Sequence, residues 1–297
     1  MKPITVASVA TRNRVGEQEK SIANIREWCR RAKGRGAELA VFPELSVSGY
    51  VHHEVTWDLA ERIPGPSTDK LTGVAADLGM VICFGILERD ADVTYNTQVL
   101  VNAAGVIGKQ RKIHMPGNEY LYWRGGFEVE AFDIGKARIG ISICYDSLFS
   151  ELARSLYFKG AEVLVMPFAY NSKPRAHFPE EDIQGLCFRA SCYTNGCYGI
   201  VCNNAGSRGR NKWEPKGRKF PGWAGVFGPE GEVVAFTRDK GNGEAMVVAT
   251  LDPKKVAKRR RDTYFIPRCL RPEVYVQINE SDQTGRGRPN AQTAETL

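Results

Sequence analysis

Gly140-Ile141-Ser142-Ile143-Cys144-Tyr145-Asp146, followed by Ser147-Leu148-Phe149-Ser150-Glu151-Leu152, is the stretch around which the chain reads most clearly. The apolar run from Ala137 to Cys144 predicts a buried strand, and an amphipathic helix begins within a few residues of its end. A cysteine placed there sits on a rigid strand end near a helix N-terminus. That position is expected to expose the sulfur and to favour its thiolate through the helix dipole. Backbone N–H groups after the cysteine are left free to face an oxyanion. Taken alone, Cys144 reads first as a buried structural cysteine, since free cysteines are among the most buried residues.

Outward from this centre, the chain alternates strands and helices. Ile4 to Thr11 reads as a strand. Ser21 to Lys33 reads as a helix with Ile22, Ile25, Cys29 and Ala32 on one face, stopped by Gly34 and Gly36. Leu39 to Phe42 is a short apolar strand running into Pro43-Glu44. Glu44 is either a turn residue or a catalytic base at a strand end. Pro64-Gly65-Pro66 breaks the chain, and Ser67 or Thr68 is expected to cap a helix carrying Leu71, Val74, Ala75 and Leu78. Met80 to Leu87 is a strand, and Asn96 to Val101 with Val106 to Lys109 forms a hairpin. Lys112 lies at the end of that hairpin, as an exposed edge lysine or as a fixed cation in a site. Glu119 follows in a loop with Tyr120, Tyr122, Trp123 and Phe127, a loop suited either to floor a pocket or to cap the core.

The second half continues with a helix from Ser150 to Lys159, a strand from Val163 to Phe168 and a helix from Pro179 to Asn195. In that last helix Ile183, Leu186, Cys187 and Ala190 are the expected apolar face. Tyr198 to Cys202 is a strand, Gly206 to Gly222 a glycine- and lysine/arginine-rich loop, and Trp223 to Phe236 a hairpin. Ala245 to Leu251 is a strand. Asp252-Pro253 opens a basic helix, with Asp as N-cap and Pro at the first helical position. From residue 279 the chain is polar and is expected to be an arm or a disordered tail beyond a single domain spanning 1–278. Strands and helices intermixed with direct hairpins predict a layered α/β domain with mixed sheets.

The 297 residues carry a formal charge of +7, much of it in Lys254 to Arg261 and the tail. No groove-reading element or row of stacking aromatics accompanies this charge, so a solvated helix is read there and no nucleic-acid partner. The eight cysteines include no CxxC pair. Cys187, Cys192, Cys197 and Cys202 recur at a spacing that neither helix nor strand places on one face, so they read as small core residues. The four histidines are not spaced as metal pairs, and no metal or other cofactor is expected. Neither a leader nor a bilayer-length apolar run is seen, which predicts a cytoplasmic protein with reduced thiols and no membrane association.

Three motifs then combine. Phe42-Pro43-Glu44-Leu45 with Gly49-Tyr50, Arg111-Lys112-Ile113-His114-Met115-Pro116, and Gly140 to Asp146 occur in that order. Together they resemble the nitrilase superfamily of carbon–nitrogen hydrolases, over most of the chain from the first strand to Arg271-Pro272-Glu273-Val274-Tyr275. The resemblance implies a four-layer α-β-β-α sandwich with two mixed sheets, usually assembled as a homodimer or higher oligomer. It implies Glu44 as general base, Lys112 as oxyanion stabiliser, Cys144 as nucleophile and Glu119 as a second glutamate of the site. It also implies hydrolysis of a small linear amide or N-carbamoyl amine, most similar to the N-carbamoylputrescine amidases and aliphatic amidases. A nitrile substrate or a non-catalytic binding homologue are the alternatives. Tyr50, Tyr120, Trp123, Tyr145, Phe168 and Tyr170 are the candidate substrate-binding residues. Ser147 and Leu148 stand where members that bind amino-acid carboxylates often carry arginine. With Glu119 and Asp146 as nearby acids, a neutral or cationic substrate is expected. Arg175, Arg189 and Arg208 are the arginines that could overturn this expectation.

Overall fold

The computed structural model describes residues 1–170, 183–208, 213, 217–237, 243–276 and 278; the predicted arm from residue 279 and Arg175 lie outside them. The chain opens with strand β1 (Ile4–Ala10), helix α1 (Gln18–Gly34), strand β2 (Leu39–Val41), the short helix α2 (Thr56–Leu59) and helix α3 (Pro66–Leu78). Strands β3 (Val81–Asp90), β4 (Val93–Asn102) and β5 (Gly105–Arg111) follow as a meander. Next come β6 (Ala131–Asp133), β7 (Arg138–Ile141), helix α4 (Ser150–Phe158), β8 (Val163–Phe168), helix α5 (Ile183–Asn195) and β9 (Tyr198–Asn203). The chain continues through β10 (Ala205–Arg208), β11 (Arg218–Pro221), β12 (Ala224–Phe227), β13 (Val233–Phe236), β14 (Ala245–Leu251) and helix α6 (Pro253–Arg261).

Two six-stranded sheets result, ordered β14-β1-β2-β3-β4-β5 and β13-β12-β9-β8-β7-β6. Both are mixed: β1, β2 and β3 run parallel, as do β7, β8 and β9, and the outer pairings are antiparallel. The apolar side chains explain why two sheets stack. Val6, Leu39, Val41 and Leu100 of one sheet meet Ile139, Ile141, Val163, Val165, Ile200 and Val226 of the other in a fully buried layer. The opposite face of the first sheet buries Ala7, Val9, Ile82 and Val99 under Ile22, Ile25, Leu71 and Val74 of α1 and α3. The opposite face of the second buries Leu164, Met166 and Val201 under Leu152, Leu156, Phe188 and Cys192 of α4 and α5. Helix, sheet, sheet, helix is therefore the layer order, the four-layer α/β sandwich expected. No helix among the described residues is long and apolar enough to cross a membrane.

Three local readings change. Helix α3 is capped by Gly65, not by Ser67 or Thr68. The Thr68 hydroxyl accepts from the Gly65 N–H and donates to the Gly65 carbonyl, both at 2.8 Å, while Pro66 takes the first helical position. Helix α5 docks on a face turned from the expected one: Phe188, Ser191, Cys192 and Asn195 are buried, whereas Leu186 is 53% exposed. The stretch read as a loop from Gly206 to Gly222 contains the two-stranded ladder β10–β11. Helix α6 begins as its sequence predicts, with the Asp252 carboxylate accepting from the Lys254 N–H at 2.9 Å.

Candidate active site

Glu44 follows β2 on a loop stitched to β3. The Phe42 N–H donates to the Cys83 carbonyl (2.8 Å), the Val47 N–H to the Gly85 carbonyl (2.9 Å), and the Ser46 and Ser48 hydroxyls accept from the Gly85 and Leu87 N–H groups. Gly85 makes this approach possible, because a Cβ there would lie 2.2 Å from the Leu45 nitrogen and 2.8 Å from the Pro43 oxygen. The Asn204 amide holds the Glu44 carbonyl from the second sheet at 2.9 Å. The Glu44 carboxylate is fully buried. Its Oε1 accepts from Asn96 Nδ2 at 2.7 Å and from Lys112 Nζ at 2.8 Å, and its buried Oε2 has no hydrogen-bond partner.

Lys112, also fully buried, leaves the end of β5 with its N–H on the Asn96 carbonyl (2.8 Å) and its carbonyl accepting from the Gly126 N–H (2.8 Å). Its Nζ lies 3.0 and 2.7 Å from the two oxygens of Glu119, which sits on a single 3₁₀ turn, Glu119–Leu121. The Tyr50 hydroxyl donates to Glu119 Oε1 at 2.6 Å, and His52 Nε2 lies 3.0 Å from that hydroxyl. The ammonium is thus forked between two buried carboxylates.

Cys144 opens a tight turn, Cys144–Leu148, directly after β7. It carries a φ of +54°, a left-handed conformation that an ordinary side chain adopts only where its surroundings impose it. Asp146 imposes much of that shape. Its buried carboxylate accepts from the Ile143, Ile113 and His114 N–H groups and from His114 Nδ1, at 2.7 to 3.3 Å, and so ties the cysteine turn to the residues after Lys112. Asp146 is consumed by these bonds and is not an acid of the pocket. Ser147 is likewise turned inward, its hydroxyl on the Ser142 carbonyl at 3.2 Å.

The charges explain the protonation states. Burial raises the Cys144 thiol well above its ordinary range, Glu44 and Glu119 add to this, and Lys112 and the Ala169 backbone N–H oppose it. The expectation of a dipole-stabilised thiolate fails on magnitude. A helix terminus contributes about 0.3–1 kcal/mol, less than the combined desolvation and carboxylate repulsion acting on this half-buried thiol. Burial likewise disfavours the Lys112 ammonium, but the charges of Glu44 and Glu119 hold it protonated well above the usual lysine range. Glu119 is pushed up to about 7 by burial, against the pull of Lys112 and with the repulsion of Glu44. His52 is lowered to about 4 by burial and by the Arg218 and Lys112 charges. The resting arrangement is a thiol, an ammonium and a bare carboxylate oxygen.

The candidate aromatics separate. The Trp123 ring is buried 5.6 Å from that of Tyr50, and both line the Glu119 side. Tyr145 meets Phe149 edge-on at 5.3 Å beside the cysteine turn. Phe168 packs in the core against Phe188 (5.3 Å), Tyr170 is held through its backbone by the Asn203 amide, and Tyr120 is 45% exposed. Arg189 donates to the Gly231 carbonyl, and the side chain of Arg208 is outside the described residues. The arginine brought to this region is another one, Arg218, whose guanidinium lies 5.0 Å from the Tyr50 ring centre. Asn96, Asn204 and Arg218 were not legible as site residues. For Asn96 the available signal is an amide in the middle of an apolar strand. Among the described residues no cluster of His, Cys, Asp and Glu is placed to hold a metal ion.

Comparison with known proteins gives the family of the chain. The family model described as carbon-nitrogen hydrolase matches residues 5–261. A nitrilase of Pyrococcus abyssi is 33% identical, the match covering 92% of this chain and 99% of that protein. An N-carbamoylputrescine amidase of Solanum lycopersicum is 28% identical over 86% of this chain and 88% of its own. The crystal structure of a carbon-nitrogen hydrolase from Helicobacter pylori G27 superposes with a TM-score of 0.83 at 22% identity, covering 93% of this chain and 98% of that one. The chain therefore belongs to the carbon–nitrogen hydrolases of the nitrilase superfamily.

Proposed function

We propose that this protein is an amidohydrolase that cleaves the non-peptide C–N bond of a small linear amide or an N-carbamoyl amine through a thioester on Cys144. The observation that carries this reading is the meeting of Glu44, Lys112 and Glu119 in one buried cluster whose charges act on Cys144, with one Glu44 oxygen left bare. A thiol whose proton is held tightly needs a base to take it, and Glu44 Oε2, free of a donor, has the chemistry of that base. As Sγ bonds to the carbonyl carbon, the thiol proton passes to Oε2 and the C=O π pair moves onto oxygen. Lys112 Nζ and the backbone N–H groups of the cysteine turn stabilise that oxyanion. Its collapse breaks the C–N bond, and the proton on Oε2 goes to the leaving nitrogen. Water then attacks the thioester, giving its proton to Glu44, and the thiol is restored as the acid departs. Glu119 holds Lys112 in place and accepts from the substrate N–H.

The Tyr50 and Trp123 rings and the acids support a neutral or cationic substrate. A second reading rests on Arg218: a guanidinium near the Tyr50 ring suits a substrate with a distal carboxylate. Ammonia release across amides, N-carbamoyl amines and nitriles tests the first reading, and matched N-carbamoyl diamine and N-carbamoyl amino-acid substrates separate the two. A tenfold preference for the acid, about 1.4 kcal/mol of transition-state binding, favours the Arg218 reading. Turnover of nitriles without turnover of any amide would sink both.

A further inference from the structure

We propose that Asn96 is a positioning residue that fixes the plane of the Glu44 carboxylate, so that one of its oxygens stays free of donors to act as the base. This rests on the amidohydrolase reading of the same site. Glu44 Oε1 takes two donors, Asn96 Nδ2 at 2.7 Å and Lys112 Nζ at 2.8 Å, and Oε2 takes none although it is buried. A carboxylate normally spreads its donors over both oxygens, because a buried acceptor without a donor is costly. Here both are gathered on one side. Rotating the carboxylate out of this plane would break two charge-assisted bonds, so one oxygen is held on Asn96 and Lys112 and the other is kept free of both.

The Asn96 amide has no second use. A carboxylate oxygen only accepts, so Nδ2 must face Glu44. This leaves Asn96 Oδ1, which is buried without a partner. A buried amide half-satisfied in this way contributes poorly to the fold, and its retention fits a role in the site. The main chain of the same residue completes the placement, since the Asn96 carbonyl accepts from the Lys112 N–H at 2.8 Å. One residue of β4 thereby sets the base through its side chain and the cation through its backbone. If Asn96 is lost, Glu44 is free to rotate and to share both oxygens with Lys112, and the proton acceptor moves off the thiol.

Asn96→Ala removes the donor, and Asn96→Leu removes it while keeping a similar side-chain volume. Each is compared with the wild type and with Glu44→Gln in three measurements: thermal unfolding, kcat and KM for the best amide, and the pH dependence of Cys144 alkylation by iodoacetamide. Both variants should fold, hold KM within about twofold, and lose about 10- to 100-fold in kcat, the scale on which a small misplacement of a catalytic group acts. The alkylation rate should fall with kcat and its rise should move to higher pH, as in Glu44→Gln. A residue that only packs would leave Asn96→Leu active. Folded variants with kcat and alkylation within twofold of wild type would overturn the proposal. Failure of both to fold would overturn it too, because Asn96 would then be structural. Alkylation needs no substrate, so a wild type that releases no ammonia, with the alkylation defect still present, would sink the amidase reading and leave the role of Asn96 standing.

Discussion

Glu119 is the residue whose titration the kinetics should report. Its carboxyl is raised to about 7 while it bonds Lys112 through both oxygens. As pH falls from 8 to 6 it takes up a proton, one of its bonds to Nζ weakens, and kcat/KM should fall with a midpoint near 7. Glu119→Gln should be several-fold to 100-fold less active and should lack this acidic limb. The sign for stability is opposite to that of an ordinary salt-bridged carboxylate. Its folded pKa lies above the unfolded value, so the folded state binds the extra proton. Stability is therefore lost as pH rises from about 4.5 to about 7. Chemical unfolding at pH 5 and pH 8 checks this, since Glu119→Gln should reduce the loss between them. His52, lowered to about 4, should leave no limb near 6.5 in either protein.

At the scale of elements, the site depends on how closely the Glu44 loop approaches β3. Gly85→Ala would press a methyl group against the Leu45 nitrogen and the Pro43 oxygen at van der Waals overlap, and the loop must yield. A displacement of the order of 1 Å should lower kcat by about 100-fold with the circular dichroism spectrum unchanged. Unaltered kcat would show that the loop is not positioned this way. The strands and most helices that build this arrangement were legible, because their apolar periodicity is strong: Val41, Val165 and Ile200 read as core and are core. Glu44, Lys112 and Cys144 each lie near the end of a readable strand, but that position alone left them open as structural residues; the resemblance of their three motifs to the nitrilase superfamily singled them out. The face of α5 was not legible. Its apolar residues run round the helix, and docking on the second sheet chose Phe188 and Cys192 over Leu186 and Ala190. The β10–β11 ladder was hidden because its pairing comes from backbone bonds between residues with no apolar alternation. Asp146 was misread because its four bonds join two segments distant in sequence, a contact no periodicity encodes.

For the whole molecule, Phe158 on α4, Leu186 and Tyr193 on α5 and Tyr264 after α6 are 64%, 53%, 42% and 85% exposed. These elements pack on one another, with Tyr157 against Phe265 at 5.7 Å. Large apolar side chains gathered on neighbouring elements are characteristic of an association surface. A homodimer that covers these exposed side chains is the proposed assembly, so light scattering should give about twice the 33.0 kDa of one chain. Leu186→Arg with Tyr193→Arg should shift it toward the monomer. A stable wild-type monomer would contradict the assembly while leaving the chemistry of the site untouched. The central claim is that Cys144, with Glu44 and Lys112, carries out acyl transfer. Its most direct measurement is intact-protein and peptide mass spectrometry of enzyme acid-quenched during turnover of an amide that releases ammonia. The account predicts an acyl adduct on the peptide containing Cys144, absent from a folded Cys144→Ala variant that releases no ammonia. Ammonia release at the wild-type rate by Cys144→Ala, or an adduct on another cysteine, would contradict it.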